Sequence, residues 1–191
     1  MFELLMIVFL SLPSVSSNDE SAKTFAIKKH NQKVSNVTVS IQWKYKNFPL
    51  EMMLYHPATS FQGKFVGRTG VVGSMKKAKL GEQIQGEIQV ARDSSFSAVL
   101  VVKNTTKQDV YFFAVPHEVS PIEASLGHQF FCLCKNLVFK VPPGKVWYRV
   151  VNLEISPEFM NIDKFKIEHQ IIGISRVEAL TQYKNLLFDK R

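Results

Sequence analysis

Short apolar segments that alternate at every second residue, each closed by a turn signal, constrain this chain more than any other feature. Val37, Val39 and Ile41 alternate with polar residues, and Trp43 continues the same row. Ile84, Ile88 and Val90 alternate with Gln85, Glu87 and Gln89. Continuous apolar or β-rich runs of strand length follow at 98–102, 110–115, 130–134, 137–139, 146–153 and 167–174. Turn signals separate them: Asn104-Thr105, Pro116, Ser120-Pro121, Pro142-Pro143-Gly144 and Ser156-Pro157. A side-chain period of two places alternate residues on opposite faces of a strand. Many short strands at such spacing predict an all-β antiparallel sandwich or barrel. Residues 56–80, with Gly63, Gly67, Gly70 and Gly73, read as a long loop or insertion. After residue 175 the period of two stops. Val177, Leu180 and Leu187 suit one face of a short C-terminal helix.

Size and composition agree with a packed domain. The chain has 191 residues, of which 46% are hydrophobic and 12% aromatic, including 15 Phe. That is enough apolar surface for one core, and it excludes a disordered or fibrous chain. Only 2 Cys are present, which excludes a disulfide-stapled scaffold. No apolar run approaches the roughly 20 residues of a membrane-spanning helix.

The run 4–12 is apolar, and Pro13 and the small residues Ser14, Val15, Ser16 and Ser17 follow it. This order reads as a secretory signal peptide or a truncated membrane anchor over residues 1–17. The expected organisation is that leader, a sandwich domain over 18–175 and a tail over 176–191. The net charge is +8, but the lysines are scattered, the densest groups being Lys28-Lys29 and Lys76-Lys77-Ala78-Lys79. There is no Arg-rich arm and no RNA-recognition motif, so nucleic acid is not the expected partner. For an exported chain, an anionic membrane surface or an acidic partner is the expected counterpart.

The chemistry-bearing feature is Cys132-Leu133-Cys134. In a strand, residues two apart share a face. Two thiols so placed suit one soft ion, and a two-ligand linear or bridged geometry suits Cu(I) better than Zn(II), which wants four ligands. Two buried structural cysteines, or a thiol–disulfide redox pair, are the competing readings. Lys135 places a positive charge beside the thiols, which lowers a thiol pKa. His117 in a loop after Pro116, and His30, His56 and His169 standing alone, lack metal-ligand spacing and read as surface or core residues, and no Cys/His hydrolase signature joins His128 to the cysteines. Glu82 and Glu87 form no recognisable acid/base pair, and no phosphate loop, dinucleotide fingerprint or nucleophile elbow is present. An enzyme is therefore not expected. Asn36-Val37-Thr38 and Asn104-Thr105-Thr106 match glycosylation sequons.

The stretch 81–159 resembles the CtaG-type copper-assembly proteins of cytochrome c oxidase. Gly81-Glu82, the turn at Asn104, Ser120-Pro121 with Ala124 three residues on, Cys132-Leu133-Cys134, Pro143-Gly144 and Ser156-Pro157-Glu158 carry the resemblance. The resemblance implies an immunoglobulin-like β-sandwich outside the inner membrane, in the periplasm or mitochondrial intermembrane space. It implies Cu(I) held by Cys132 and Cys134, often across a homodimer, and delivery of that copper to the catalytic subunit of a membrane oxidase. This chain departs from the family in having Leu133 and Lys135 where the family has Phe, and in lacking the family's further, membrane-proximal Cys. A non-metal interaction domain of the cell envelope is the rival expectation.

Overall fold

A computed structural model describes residues 36–58, 67–78, 80–157 and 161–188. The expected leader over 1–17, His30, Gly63 and Glu158 lie outside the described residues. Among those described, the chain forms two packed β-sheets, the predicted β-sandwich. The strands in chain order are β1 (Asn36–Lys46), β2 (Met52–Pro57), β3 (Thr69–Val72), β4 (Leu80–Ile84), β5 (Glu87–Ala91), β6 (Ser94–Lys103), β7 (Val110–Ala114), β8 (Glu118–Ser120), β9 (His128–Phe131), β10 (Val138–Val141), β11 (Val146–Ile155), β12 (Lys164–Ile174) and β13 (Leu187–Phe188). One sheet runs β13-β10-β7-β12-β1-β5, with β8 also on β12; the other runs β3-β11-β6-β2-β4, with β9 also on β11.

The sandwich is not wholly antiparallel. β1 and β12 pair in parallel with Trp43 opposite His169, and β10 and β13 also pair in parallel. These strands are far apart in the chain, so a long crossover can bring them side by side in the same direction, as no hairpin could.

Two other expectations change. The glycine-rich stretch 56–80 carries β3, whose Val72 faces Val146 of β11, and a 3-10 turn at Met75–Ala78. Ile84 and Ile88 do not share a strand. Gly86 has φ +78°, in the left-handed region where glycine is at ease, and there the chain leaves β4 in one sheet for β5 in the other.

The core lies between the sheets and follows the period of two. In β12, Phe165, Ile167, His169, Ile171 and Gly173 form the buried row. In β11 the corresponding row is Trp147, Arg149, Val151, Leu153 and Ile155. Phe112, Phe139 and Trp147 pack as an aromatic cluster with ring centroids 5.1–5.4 Å apart. Such buried side chains each contribute roughly 1.5–3 kcal/mol. Each inward row is thus interrupted by a single polar residue: His169 in one sheet, Arg149 in the other.

The expected C-terminal helix is shorter than its apolar spacing suggests: α1 (Arg176–Thr181) does not reach Leu187, which lies in β13 beside Val138, and its buried residue is Ala179, against Tyr111 and Val138. Val177 is 70% and Leu180 42% exposed. A helix this short packs one residue, and the small Ala179 permits the closest approach. The sequon at Asn104 is part of the fold: its side chain is buried, donating from Nδ2 to the carbonyls of Gln108 and Val141, both at 2.8 Å. Asn36 is exposed.

Candidate metal centre

The cysteine pair sits where the chain crosses between the sheets. β9 pairs with β11 in one sheet and β10 with β7 in the other, and residues 132–137 make the crossing. The expected strand over 130–134 therefore ends at Phe131. Beyond it, Leu133 is fully buried in the main core and fixes the segment. The Lys135 N–H donates to the Leu133 carbonyl at 2.7 Å, closing a three-residue turn centred on Cys134. This turn, rather than a strand pleat, brings the two thiols together: Cys132 Sγ lies 3.0 Å from Cys134 Sγ, and both cysteines are free.

Two histidines complete the cluster. His169 comes from the inward row of β12 and is fully buried. His117 comes from the link between β7 and β8. Both of those strands pair with β12, and the Val115 N–H donates to the Gln170 carbonyl at 3.0 Å. Residues 115–117 therefore bulge over 169–170 and carry His117 onto His169, with ring centroids 5.1 Å apart. His117 Nδ1 is 3.8 Å from Cys132 Sγ and 3.6 Å from Cys134 Sγ; His169 Nδ1 is 4.0 Å from Cys134 Sγ. One donor atom from each of the four residues falls within 4.8 Å of all the others. A tetrahedral ion with metal–sulfur bonds of about 2.3 Å and metal–nitrogen bonds of about 2.0 Å separates its donors by roughly 3.3–3.8 Å. Shifts of under about an ångström would convert one arrangement into the other.

Cys132 and Cys134, near neighbours in sequence, lie together as their spacing suggests, whereas His117 and His169 stand isolated in the sequence and join them only in the fold. One signal for His169 was present: it interrupts the apolar row Phe165, Ile167, Ile171 of a strand. His117 had no comparable signal, because only tertiary pairing brings its loop to β12. His128 lies tilted against Phe165 with ring centroids 4.9 Å apart, and one of its ring nitrogens is 2.7 Å from the Ala124 carbonyl; burial lowers its pKa. It is not one of the four. His56 packs edge-on against Phe96, and Glu82 and Glu87 are exposed strand residues.

The electrostatics favour an ionised pair. Cys134 is held far below the usual thiol range, first by the Cys132 S–H beside it and then by His117 and His169; burial opposes the shift. Cys132 is pushed up by the same contact and by its own burial. The contact that lowers one thiol raises the other, and Cys134, part-exposed and facing both imidazoles, is the easier of the two to ionise. Lys135 is exposed and is not among the causes of either shift. The buried cation nearby is Arg149, only 2% exposed. Its Nε–H donates to the Cys132 carbonyl at 2.8 Å and an Nη–H donates to Thr69 Oγ1 at 2.7 Å. Burial pulls the guanidinium pKa down, while negative charge on Cys132 and Cys134 pushes it back up.

His169 has one further property. Its Nε2 is buried with no hydrogen-bond partner, and Trp43 is stacked on the ring. An ion on Nδ1 would draw the proton to Nε2.

The cluster is closed on one side, where Cys132 and His169 are buried, and reachable on the other, where His117 and Cys134 are part-exposed. It can hold a soft or borderline ion through two sulfurs and two imidazole nitrogens. No helix among the described residues is long and apolar enough to cross a membrane. No curated protein matches the chain in sequence. Residues 37–174, from the start of β1 to the end of β12 and including all four donors, match the model of a domain of unknown function, DUF8709. The chain belongs to that family.

Proposed function

We propose that this chain is a copper-binding β-sandwich protein that holds one Cu(I) between Cys132, Cys134, His117 and His169 and passes it on as an assembly factor. The observation that carries the reading is the convergence of four donor side chains from three separate segments onto one point. Thiolate sulfur selects Cu(I) or Zn(II) among common ions, and the resemblance over 81–159 favours copper. All four donors come from one chain, so the reading needs no second copy, although a homodimer remains compatible with it.

The recipient, the catalytic subunit of a membrane cytochrome oxidase, rests on the resemblance alone. So does the setting, outside the inner membrane and close to its surface. The part-exposed side gives transfer a route: an incoming thiolate would meet the ion beside His117 and Cys134 and replace a ligand there, while Cys132 and His169 hold on. Ligand exchange of this kind leaves the copper oxidation state unchanged.

A resident structural Zn(II) is the second reading, favoured by the donor set itself, since two Cys and two His in a closed tetrahedron are a common structural zinc site. Anaerobic titration of the reduced protein with Cu(I) and with Zn(II), against competing chelators, tests both. The copper reading expects one tightly held Cu(I) per chain, lost when Cys132→Ser and Cys134→Ser are combined. Retention of Cu(I) by that double variant, or tight uptake of Zn(II) with weak uptake of Cu(I), would overturn it.

A further inference from the structure

The inward row of β11 buries a guanidinium where its neighbours are Trp147 and Val151. Burying a charge costs several kcal/mol unless an opposite charge answers it. Among the described residues, the ion pairs use Lys44, Lys140, Lys164, Lys166 and Arg92, and none reaches Arg149 with a carboxylate. The direct partners of Arg149 are neutral: the Cys132 carbonyl and the Thr69 hydroxyl. The ring of Phe139 lies 5.9 Å from its guanidinium carbon. The cysteine pair, whose Cys132 carbonyl it holds, would supply the negative charge beside it once an ion binds both sulfurs as thiolates.

This has a consequence for which ion fits. Two thiolates and two neutral imidazoles bring two negative charges. A monovalent ion leaves one negative charge over, and the guanidinium cancels it. A divalent ion already neutralises the thiolates and leaves the buried guanidinium without a counter-charge.

We infer that Arg149 is the residue that sets the charge of the ion accepted, favouring monovalent Cu(I) over divalent Zn(II) at the four-donor site. This rests on the metal-binding reading given above and adds to it the determinant of selectivity. Arg149 touches no donor atom. It is a positioning residue, acting through its charge and through its hold on the Cys132 carbonyl.

The test compares Arg149→Gln, which keeps a hydrogen-bond donor but removes the charge, with Arg149→Lys, which keeps the charge. The readout is the ratio of Cu(I) to Zn(II) affinity in the full chain under anaerobic conditions, each metal added alone against a chelator. A unit charge a few ångströms away in a partly buried site is expected to move that ratio by about tenfold to a hundredfold. Arg149→Gln should therefore lower the ratio by that factor, and Arg149→Lys should keep it within about threefold of the wild type. Arg149→Met, which also removes the charge but keeps an apolar stem in the inward row, should lower the ratio by the same factor, and it decides the matter if Arg149→Gln does not fold. Equal losses for both ions, or a ratio unmoved in Arg149→Gln and Arg149→Met, overturn the inference about Arg149. If the wild type takes up neither ion, it is the four-donor reading that falls.

Discussion

Trp43 lies nearly flat on His169, with ring centroids 5.0 Å apart and planes 19° from parallel. The parallel register of β1 and β12 sets them directly opposite each other. An ion on His169 Nδ1 changes the charge and proton placement of the ring that Trp43 touches. Metal addition should therefore change tryptophan fluorescence in a saturable way, at one equivalent. The other tryptophan, Trp147, packs on Phe112 and Phe139. Trp43→Phe should remove most of the metal-dependent signal while leaving uptake intact. A signal that survives in Trp43→Phe would place the ion elsewhere.

His117→Ala and His169→Ala separate the four-donor site from a cysteine-only one. Loss of groups that merely orient ligands commonly costs about 10–100-fold in affinity, so loss of a ligand should cost at least about tenfold. Competition titration with a Cu(I) chelator measures it. His128→Ala, which removes a ring outside the cluster, should leave affinity within about threefold of wild type.

The metal-free thiols should behave unequally. Cys134 is part-exposed and lowered by Cys132 and the two imidazoles, whereas Cys132 is buried and pushed up. The thiolate is the reactive form. Alkylation should label Cys134 first, at pH values below the ordinary thiol pKa of about 8.5, and bound metal should block it. Peptide mass analysis reads the site. Equal labelling of both residues, rising only near that ordinary pKa, would contradict this inequality.

The helix cap gives a pH dependence that leaves the metal site aside. The Ser175 N–H donates to the Glu178 carboxylate at 2.7 Å, and the Glu178 N–H donates to Ser175 Oγ at 3.1 Å. The Ser175 backbone contact, then its side chain, holds the Glu178 pKa below the usual glutamate value. The folded value lies below the unfolded one. The contribution is therefore present above the unfolded pKa and is lost as pH falls through the folded pKa. Glu178→Ala should destabilise the protein more at neutral than at acid pH in chemical denaturation. Ser175→Ala should cost about 1 kcal/mol.

Gly173 ends the inward row of β12, and a Cβ there would run into the Asn47 carbonyl oxygen and backbone. Gly173→Ala should destabilise by about 1–3 kcal/mol, the usual cost of overpacking, or more if the 47–48 backbone cannot yield. Leu133→Ala should cost about 2–5 kcal/mol as a core truncation. Because Leu133 fixes the turn that carries both thiols, it should also weaken metal uptake. Thermal melts and Cu(I) competition on the same samples measure the two effects.

The two-sheet architecture was legible because burial in a sandwich imposes the period of two directly on the sequence, as Val37, Val39, Ile167 and Ile171 show. Strand partners were not legible: nothing local in Trp43 or His169 announces a parallel pairing across more than a hundred residues. Half of the candidate centre was readable, since Cys132 and Cys134 are near neighbours in sequence. His117 and Arg149 were not, because their roles depend on which strands β12 and β11 meet. His169 and Arg149 each left a trace, as a polar residue in an inward-facing apolar row, and such interruptions are where a sandwich buries polar groups at a cost that a bound ion can offset.

In the proposed centre, two sulfurs and two imidazole nitrogens of one chain hold a single ion. X-ray absorption at the copper edge of the anaerobically Cu(I)-loaded full chain decides whether they do. The expected spectrum has sulfur and nitrogen together around the copper, outer scattering from imidazole rings, and no imidazole features in the combined His117→Ala, His169→Ala variant. A first shell of sulfur alone in the wild type, or a copper–copper vector with metal held only between two chains, would contradict it.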